Sequence, residues 1–182
     1  MKVLYITGYK PFEYGIFKND HEGVKYIKKA IMNRLLPLAD EGLEWVIISG
    51  TLGTELWAAE VVFELKMEYE NLKLGVITPF LKQEDKWNEK NQEYYGQILS
   101  KADFVDSIYR TEYEGPQQLK AKNLFMVRKS EGMLIIYDEE RDGSPKYAFQ
   151  EARKHQDASG YEIIQLTFDD LQQAAEELNW NE

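Results

Sequence analysis

The sequence predicts a three-layer α/β fold, a mainly parallel sheet of about six strands with helices on both faces, and three observations carry that expectation. Short runs of β-branched and apolar residues alternate along the chain with segments whose apolar residues recur every three or four positions. Glycine, proline and small polar residues punctuate the junctions between them. The best-defined run, Trp45-Val46-Ile47-Ile48, passes through Ser49-Gly50-Thr51-Leu52-Gly53-Thr54-Glu55 straight into a helical pattern, which is the order of a β-α unit. With 182 residues, 43% of them hydrophobic, the chain suits one domain spanning 1–182.

Lys2 to Thr7 is rich in β-formers and stops at Gly8, giving the first strand. Tyr9-Lys10-Pro11-Phe12-Glu13-Tyr14-Gly15 follows, too aromatic for a solvent-only linker, and reads as a functional loop. Val24, Ile27, Ile31 and Leu35 recur at helical spacing, with Asp20 as the expected cap and Pro37 as the expected end. After the second strand, Ala58, Val61, Val62 and Leu65 share one helical face, and Leu56, Ala59 and Phe63 widen it to that of a well-buried helix. Leu72 to Thr78 is the third strand, closed by Pro79-Phe80; a polar stretch to Lys86 leads to a helix carrying Trp87, Asn91, Tyr94 and Ile98.

Phe104 to Tyr109 reads as strand four, and Gly115-Pro116 opens a helix from Gln117 to about Val127. Met133 to Tyr137 is strand five. Beyond the polar stretch Asp138 to Pro145, Ala148, Ala152 and His155 share a helical face, with Ser144 and Pro145 as expected N-cap and first-turn residues. Ile163 and Ile164 centre strand six. Thr167 begins a last helix with Asp169 and Asp170 in its first turn, Phe168, Leu171, Ala175 and Leu178 inward, and a solvated acidic end at Glu176, Glu177 and Glu182.

Composition excludes several functions. With no cysteine, disulfides, thiol catalysis and thiolate metal sites are impossible. Neither the short apolar start nor any internal run approaches the ~20 residues of a membrane span, so a cytoplasmic location is the default. Thirty-two acidic against twenty-two basic residues give a net charge of −10, which disfavours extended nucleic acid. His21 and His155 are far apart and suit surface or helix-cap roles; no metal site and no Ser-His-acid triad is expected.

In a parallel sheet every strand-to-helix loop opens on one edge, so Gly8 to Tyr14, Gly50 to Glu55, Thr78 to Lys82 and Asp138 to Ser144 converge on a single cleft. Glycine lets a backbone approach a ligand closely, and free amides at a helix start favour an anion. Gly50, Thr51, Gly53 and Thr54 are therefore candidates for holding phosphate, and Gly143 with Ser144 for a second anion loop. Tyr9, Phe12 and Phe80, the last behind Pro79, offer faces to a base. Lys10 reads first as one of many solvated lysines and otherwise as the cation near the cleft, and Lys146 likewise. Glu55 either caps its helix, binds a ribose hydroxyl or moves a proton; Asp138 accepts a ribose hydrogen bond, holds a metal through water or starts a turn. Trp57, Trp87, Tyr94 and Tyr95 are read as core first, with part of the pocket wall as the alternative. Neither the three-glycine dinucleotide pattern nor a P-loop is present.

Taken together, Thr7-Gly8-Tyr9-Lys10-Pro11-Phe12-Glu13, Ser49 to Glu55, Thr78-Pro79-Phe80 and Tyr137-Asp138 through Gly143-Ser144-Pro145-Lys146-Tyr147 closely resemble the YpsA family of Gram-positive bacteria. The resemblance covers nearly the whole chain. It implies the Rossmann-like fold of the SLOG superfamily, whose relatives include DNA-processing protein A and the Lonely-guy phosphoribohydrolases, and a nucleotide or nucleotide-derived ligand. By motif it places the phosphate loop on Gly50, Thr51, Gly53, Thr54 and Glu55 and a second loop on Gly143 and Ser144. The Pro-Gly-Gly-x-Gly-Thr-x-x-Glu element of the Lonely-guy enzymes is absent here. The DNA-processing relatives bind single-stranded DNA through basic surface, which this chain lacks.

The expected function is that of a cytosolic sensor or regulator that binds an ADP-ribose- or NAD-like compound, passes its state to a protein partner and, by family association, is linked to bacterial cell division. A hydrolase of a nucleotide derivative using Glu55 or Asp138 is the alternative, and an interaction module with a vestigial cleft the third. A bulkier residue at Gly53 is expected to abolish binding while leaving the fold intact.

Overall fold

The computed structural model describes residues 1–180. Its elements run β1 (Val3–Gly8), α1 (Pro11–Tyr14), α2 (Glu22–Asp40), β2 (Trp45–Ile48), α3 (Thr54–Leu65), β3 (Lys73–Thr78), α4 (Glu89–Lys101), β4 (Phe104–Ser107), α5 (Gln117–Arg128), β5 (Gly132–Ile136), α6 (Lys146–Ser159), β6 (Glu162–Leu166) and α7 (Phe168–Trp180). The six strands form one parallel sheet in the order β4-β3-β2-β1-β5-β6. This is the three-layer Rossmann-like α/β architecture.

Strand order steps one way from β1 to β4 and the other way from β5 to β6, so right-handed crossovers send their helices to opposite faces. Helices α2, α3, α4 and α7 cover one face, with α2 packed between α3 and α7, while α5 and α6 pack together on the other. The central strands are buried from both sides, as their continuous apolar runs require: Leu4, Tyr5, Ile6, Val46, Ile48, Leu74, Val76, Met133, Leu134 and Ile135 all lie in the core. Helix α3 is buried almost all round, with Leu56, Trp57, Ala58, Ala59, Val61 and Val62 inaccessible.

Several boundaries differ from the sequence reading, each because a tertiary partner decides it. The Tyr9–Gly15 loop contains the four-residue helix α1, ended by Gly15 in the left-handed region (φ 75°). Helix α2 is capped by His21, whose Nδ1 accepts from the Gly23 amide at 2.9 Å, not by Asp20. It also runs through Pro37 to Asp40. Pro37 lacks the amide that would close its turn, but Leu35, Ala39 and Leu43 are core residues, and their burial holds the last turn in place.

Trp87 precedes α4, which Asn88 caps through the Asn91 amide; the indole packs edge-on against Tyr95. β4 ends at Ser107, although the Ile108 and Tyr109 amides still reach Thr78 and Pro79 carbonyls. Ser144 does not cap α6, since its hydroxyl is taken elsewhere, and Pro145 stands at the cap position. Thr167 precedes α7 and is tied to the first turn by Asp170, which accepts its amide at 2.7 Å and its hydroxyl at 3.1 Å. Of the acidic end, Glu182 lies outside the described residues.

Because Pro37 is held in the helix only by its neighbours' burial, Pro37→Ala should restore one backbone hydrogen bond and raise stability by about 1–3 kcal/mol. For a chain of this size that is a melting point higher by about 2–4 °C per kcal/mol. An unchanged or lower melting temperature would show that the ring's restriction of the unfolded chain outweighs the lost bond.

Candidate functional site

All four loops named from the sequence sit at the carboxyl edge of the sheet, and two carboxylates, Glu55 buried and Glu13 half-buried, organise them. Glu55, on the first turn of α3, is 1% exposed. Its Oε1 accepts the Ser49 amide at 2.6 Å, the Gly50 amide at 3.0 Å and the Ser49 hydroxyl at 2.9 Å; its Oε2 accepts the Thr7 hydroxyl at 2.8 Å. The first anion-receptive turn is thus filled by the chain's own carboxylate, and no oxygen of Glu55 is left for a ribose.

The second turn is filled in the same way. Glu13 of α1 accepts the Ser144 amide at 2.7 Å and hydroxyl at 2.6 Å, and also the Lys10 amide at 2.8 Å. Strand order reverses between β1 and β5, which in open α/β sheets is where ligands bind. Here the buried ring of Tyr9 occupies that place, 1% exposed, with its hydroxyl accepting the Asp138 amide at 2.9 Å and donating to the Arg141 carbonyl at 2.6 Å. Burial pushes its pKa up. Tyr9 packs on Tyr14, Tyr137 and Phe168 and offers no face to a base.

The glycines serve these internal contacts. A Cβ on Gly53 (φ 93°) would stand 2.7 Å from the Tyr9 carbonyl and 2.8 Å from Pro11, so the β2–α3 loop is pressed against the first loop; substitution there disturbs the fold, contrary to the sequence expectation. Gly50 (φ 87°) lies against Gln83 and Tyr95, Gly8 against Thr54, and Gly143 against Glu13 and Tyr9. Thr54 is buried and donates to the Tyr9 carbonyl at 2.9 Å. Pro79 is buried, and half-buried Phe80 packs on Tyr113. Asp138 shapes its turn, accepting the Glu140 amide at 3.0 Å and the Phe168 amide at 3.3 Å.

Open space lies beside this filled crevice, on the α3 and α4 side. A groove of about 710 Å³ runs between the first loop and α4, with Leu52, Gly53 and Trp57 on its floor. Phe12 and Phe17, 65% and 81% exposed, stand on one wall; Asn88, Lys90, Asn91 and Tyr94 stand on the other. The Trp57 indole donates to Asn19 at 3.1 Å and fixes the 16–20 segment over the floor. Among the described residues, the amides of Thr51, Leu52 and Gly53 donate to no group of the chain. Of the candidate ligand-binding residues read from the sequence, Phe12 and Gly53 line this groove, and so do Trp57 and Tyr94, for which a pocket wall was the alternative to core. Phe17, Asn19, Leu52 and Lys90 were not anticipated; a phenylalanine among polar residues in Phe17-Lys18-Asn19-Asp20 is the one local signal.

The sequence profile of the YpsA family, described as the YspA SLOG family, matches residues 4–171. The chain belongs to this family. Similar full-length proteins include a UPF0398 protein of Bacillus cereus (strain B4264), 58% identical over 181 residues, and one of Bacillus thuringiensis (strain Al Hakam), 57% identical; each match covers 100% of this chain and 98% of the relative. Among solved structures, DNA processing protein A of Helicobacter pylori, which binds single-stranded DNA, matches with a TM-score of 0.55 at 15% identity, over 89% of this chain and 63% of that one. This YpsA-family chain therefore spans less than two thirds of that neighbour, and the likeness concerns the fold. Among the described residues no group of three or more His, Cys, Asp or Glu side chains gathers as for a metal, and no helix is long and apolar enough to cross a membrane.

Two substitutions separate structural from chemical roles. Glu55→Gln places an amide donor among hydroxyl and amide donors and should cost roughly 2–3 kcal/mol, lowering the melting temperature by about 5–10 °C; a fully stable variant would instead mark Glu55 as a group kept for chemistry. Gly53→Ala should lose about 1–3 kcal/mol from backbone strain alone, seen as a lower thermal midpoint without any ligand present.

Proposed function

We propose that this YpsA-family protein binds a nucleotide-derived ligand of the ADP-ribose or NAD class in the groove beside the β2–α3 loop and acts as a cytosolic regulator. The groove itself carries the reading. At about 710 Å³ it is of the size small-molecule sites have, and it combines exposed aromatic faces with unengaged amides at the start of a twelve-residue helix. A phosphate on the Leu52 and Gly53 amides would leave the nucleoside between Phe12 and Phe17, with Asn88 and Asn91 facing its polar edges. The SLOG family and the fold of its DNA-processing neighbour support a nucleotide-related ligand.

Binding rather than hydrolysis is favoured because both sequence-level candidates for acid-base chemistry are engaged, Glu55 by four donors and Asp138 by two amides. A regulator then needs its ligand state read by a partner, and the link to cell division rests on the family association.

Thermal shift against NAD, ADP-ribose, AMP and ATP tests this reading. A ligand at about a hundred times its Kd stabilises the native state by about 2.7 kcal/mol, a rise of about 5–10 °C here. Phe12→Ala should weaken binding roughly five- to 150-fold through loss of one stacking face. No shift with any of these ligands, or an equal shift in the variant, removes the nucleotide from the groove. A larger shift with a single-stranded oligonucleotide than with mononucleotides would replace the reading with nucleic-acid binding.

A further inference from the structure

On helix α6, Lys146, Phe149, Arg153 and Lys154 follow the three- and four-residue spacing of a single helix face, over about 12 Å of axis. That face borders a surface depression of about 470 Å³, whose other wall is the turn after β5. Its floor is apolar and closed: Tyr137 and Phe149 are both buried, with ring centroids 5.2 Å apart. Lys146, Arg153 and Lys154 line the depression, and Glu139 is the one carboxylate that joins them there among the described residues.

These cations are open to a partner. Among the described residues no carboxylate pairs with Lys146 or Arg153, and Lys154 is bridged only by Glu151, at 3.7 Å. The Arg153 guanidinium lies over the Phe149 ring, 5.2 Å from its centroid, and its Nη1 donates to Gln156 at 3.2 Å. Stacking fixes the plane of the fork and leaves its remaining N–H groups for a carboxylate. In a chain of net charge −10 this concave, locally positive surface stands apart, and its apolar floor strengthens any ion pair made over it. The dimensions select the partner. One phosphoryl group cannot touch both ends of the row. An extended peptide can, because its alternate side chains point the same way at about 3.3 Å per residue, and carboxylates at three alternate positions cover about 13 Å.

We propose that this depression docks an acidic segment of a partner protein, extended along α6 with its carboxylates on Lys146, Arg153 and Lys154. A short path joins it to the groove. Phe12 stands in the groove wall, Glu13 beside it accepts the Ser144 amide and hydroxyl, and Lys146 follows Ser144 by two residues. A partner held on α6 thus sits against the clamp that a ligand displacing Phe12 disturbs, and so reads whether the groove is filled. This readout, unlike the docking itself, rests on the nucleotide reading of the groove.

The probe is a fluorescein-labelled peptide with aspartate at three alternate positions and serine elsewhere, its binding read by fluorescence anisotropy at constant ionic strength. Lys146→Glu combined with Arg153→Glu should lose at least tenfold in affinity yet melt as wild type does, since a carboxylate in the first turn of α6 favours the helix. Lys25→Glu combined with Lys120→Glu changes the net charge equally at exposed positions elsewhere and should lose less than twofold. A peptide with lysine in place of aspartate should bind the reversed α6 variant and not wild type. No binding of the aspartate peptide to wild type, or an equal loss in the two double variants, overturns the docking site. Tighter binding of inorganic phosphate or a single-stranded oligonucleotide, lost in the same α6 variant, overturns it too. Saturating ADP-ribose should change the peptide affinity at least about fivefold; bound ADP-ribose without that change overturns the readout. ADP-ribose that fails to bind at all removes the groove reading and the readout together, while the peptide measurements still decide the docking site.

Discussion

The carboxylate of Glu55 is the interaction on which the carboxyl edge of the sheet depends. It joins the end of β1 through Thr7, the end of β2 through Ser49 and Gly50, and the start of α3, to which it belongs. A charged acceptor shared by four donors in a buried position holds these three elements in one geometry more firmly than neutral bonds would. The same position satisfies the helix, since a negative charge in the first turn opposes the dipole. With that turn fixed, Gly53 is pressed onto the Tyr9 backbone and Thr54 is bonded to the Tyr9 carbonyl, so the first loop inherits its position from the second.

Glu13 repeats the device on the other side, and the pair explains the character of the site. Backbone amides gathered at glycine turns attract anions, and an anion supplied by the chain satisfies them as well as one from solution. Loops that read as two phosphate cradles are thereby converted into two internal clamps. Tyr9 completes the change by filling the place where strand order reverses. What remains open is displaced toward α3 and α4, where exposed Phe12 sits on the same four-residue helix as clamped Glu13.

This distinguishes what the sequence discloses from what it cannot. Periodicity located all six strands and the six longer helices, because apolar spacing reports directly on which side is buried. Local chemistry failed where a distant group decided the outcome. Asp20 is as good a cap as His21 until the loop's path is known; Pro37 ends a helix unless the residues after it are core; Ser144 caps α6 unless Glu13, 131 positions away, takes its hydroxyl. The sequence reads the glycines as points of close approach to a ligand; the neighbours found there are protein, and no local pattern distinguishes a carboxylate of the chain from a ligand's phosphate. The groove was hidden for a related reason: its walls come from the first loop, α3 and α4, whose side chains meet only in three dimensions.

The two clamps also bear on how an acidic protein would meet the anionic ligand proposed for it. A net charge of −10 repels an anion at long range, but screening confines that repulsion to about 10 Å at ordinary ionic strength. Within that distance the local sources dominate, and at this edge Glu55 and Glu13 already accept hydrogen bonds from the loops' own amides and hydroxyls. Among the described residues, the amides of Thr51, Leu52 and Gly53 at the head of α3 are then positive partial charges that no group of the chain engages. On the proposed reading, a small phosphorylated ligand meets those amides directly, whereas a polyanion would also meet the acidic remainder of the chain.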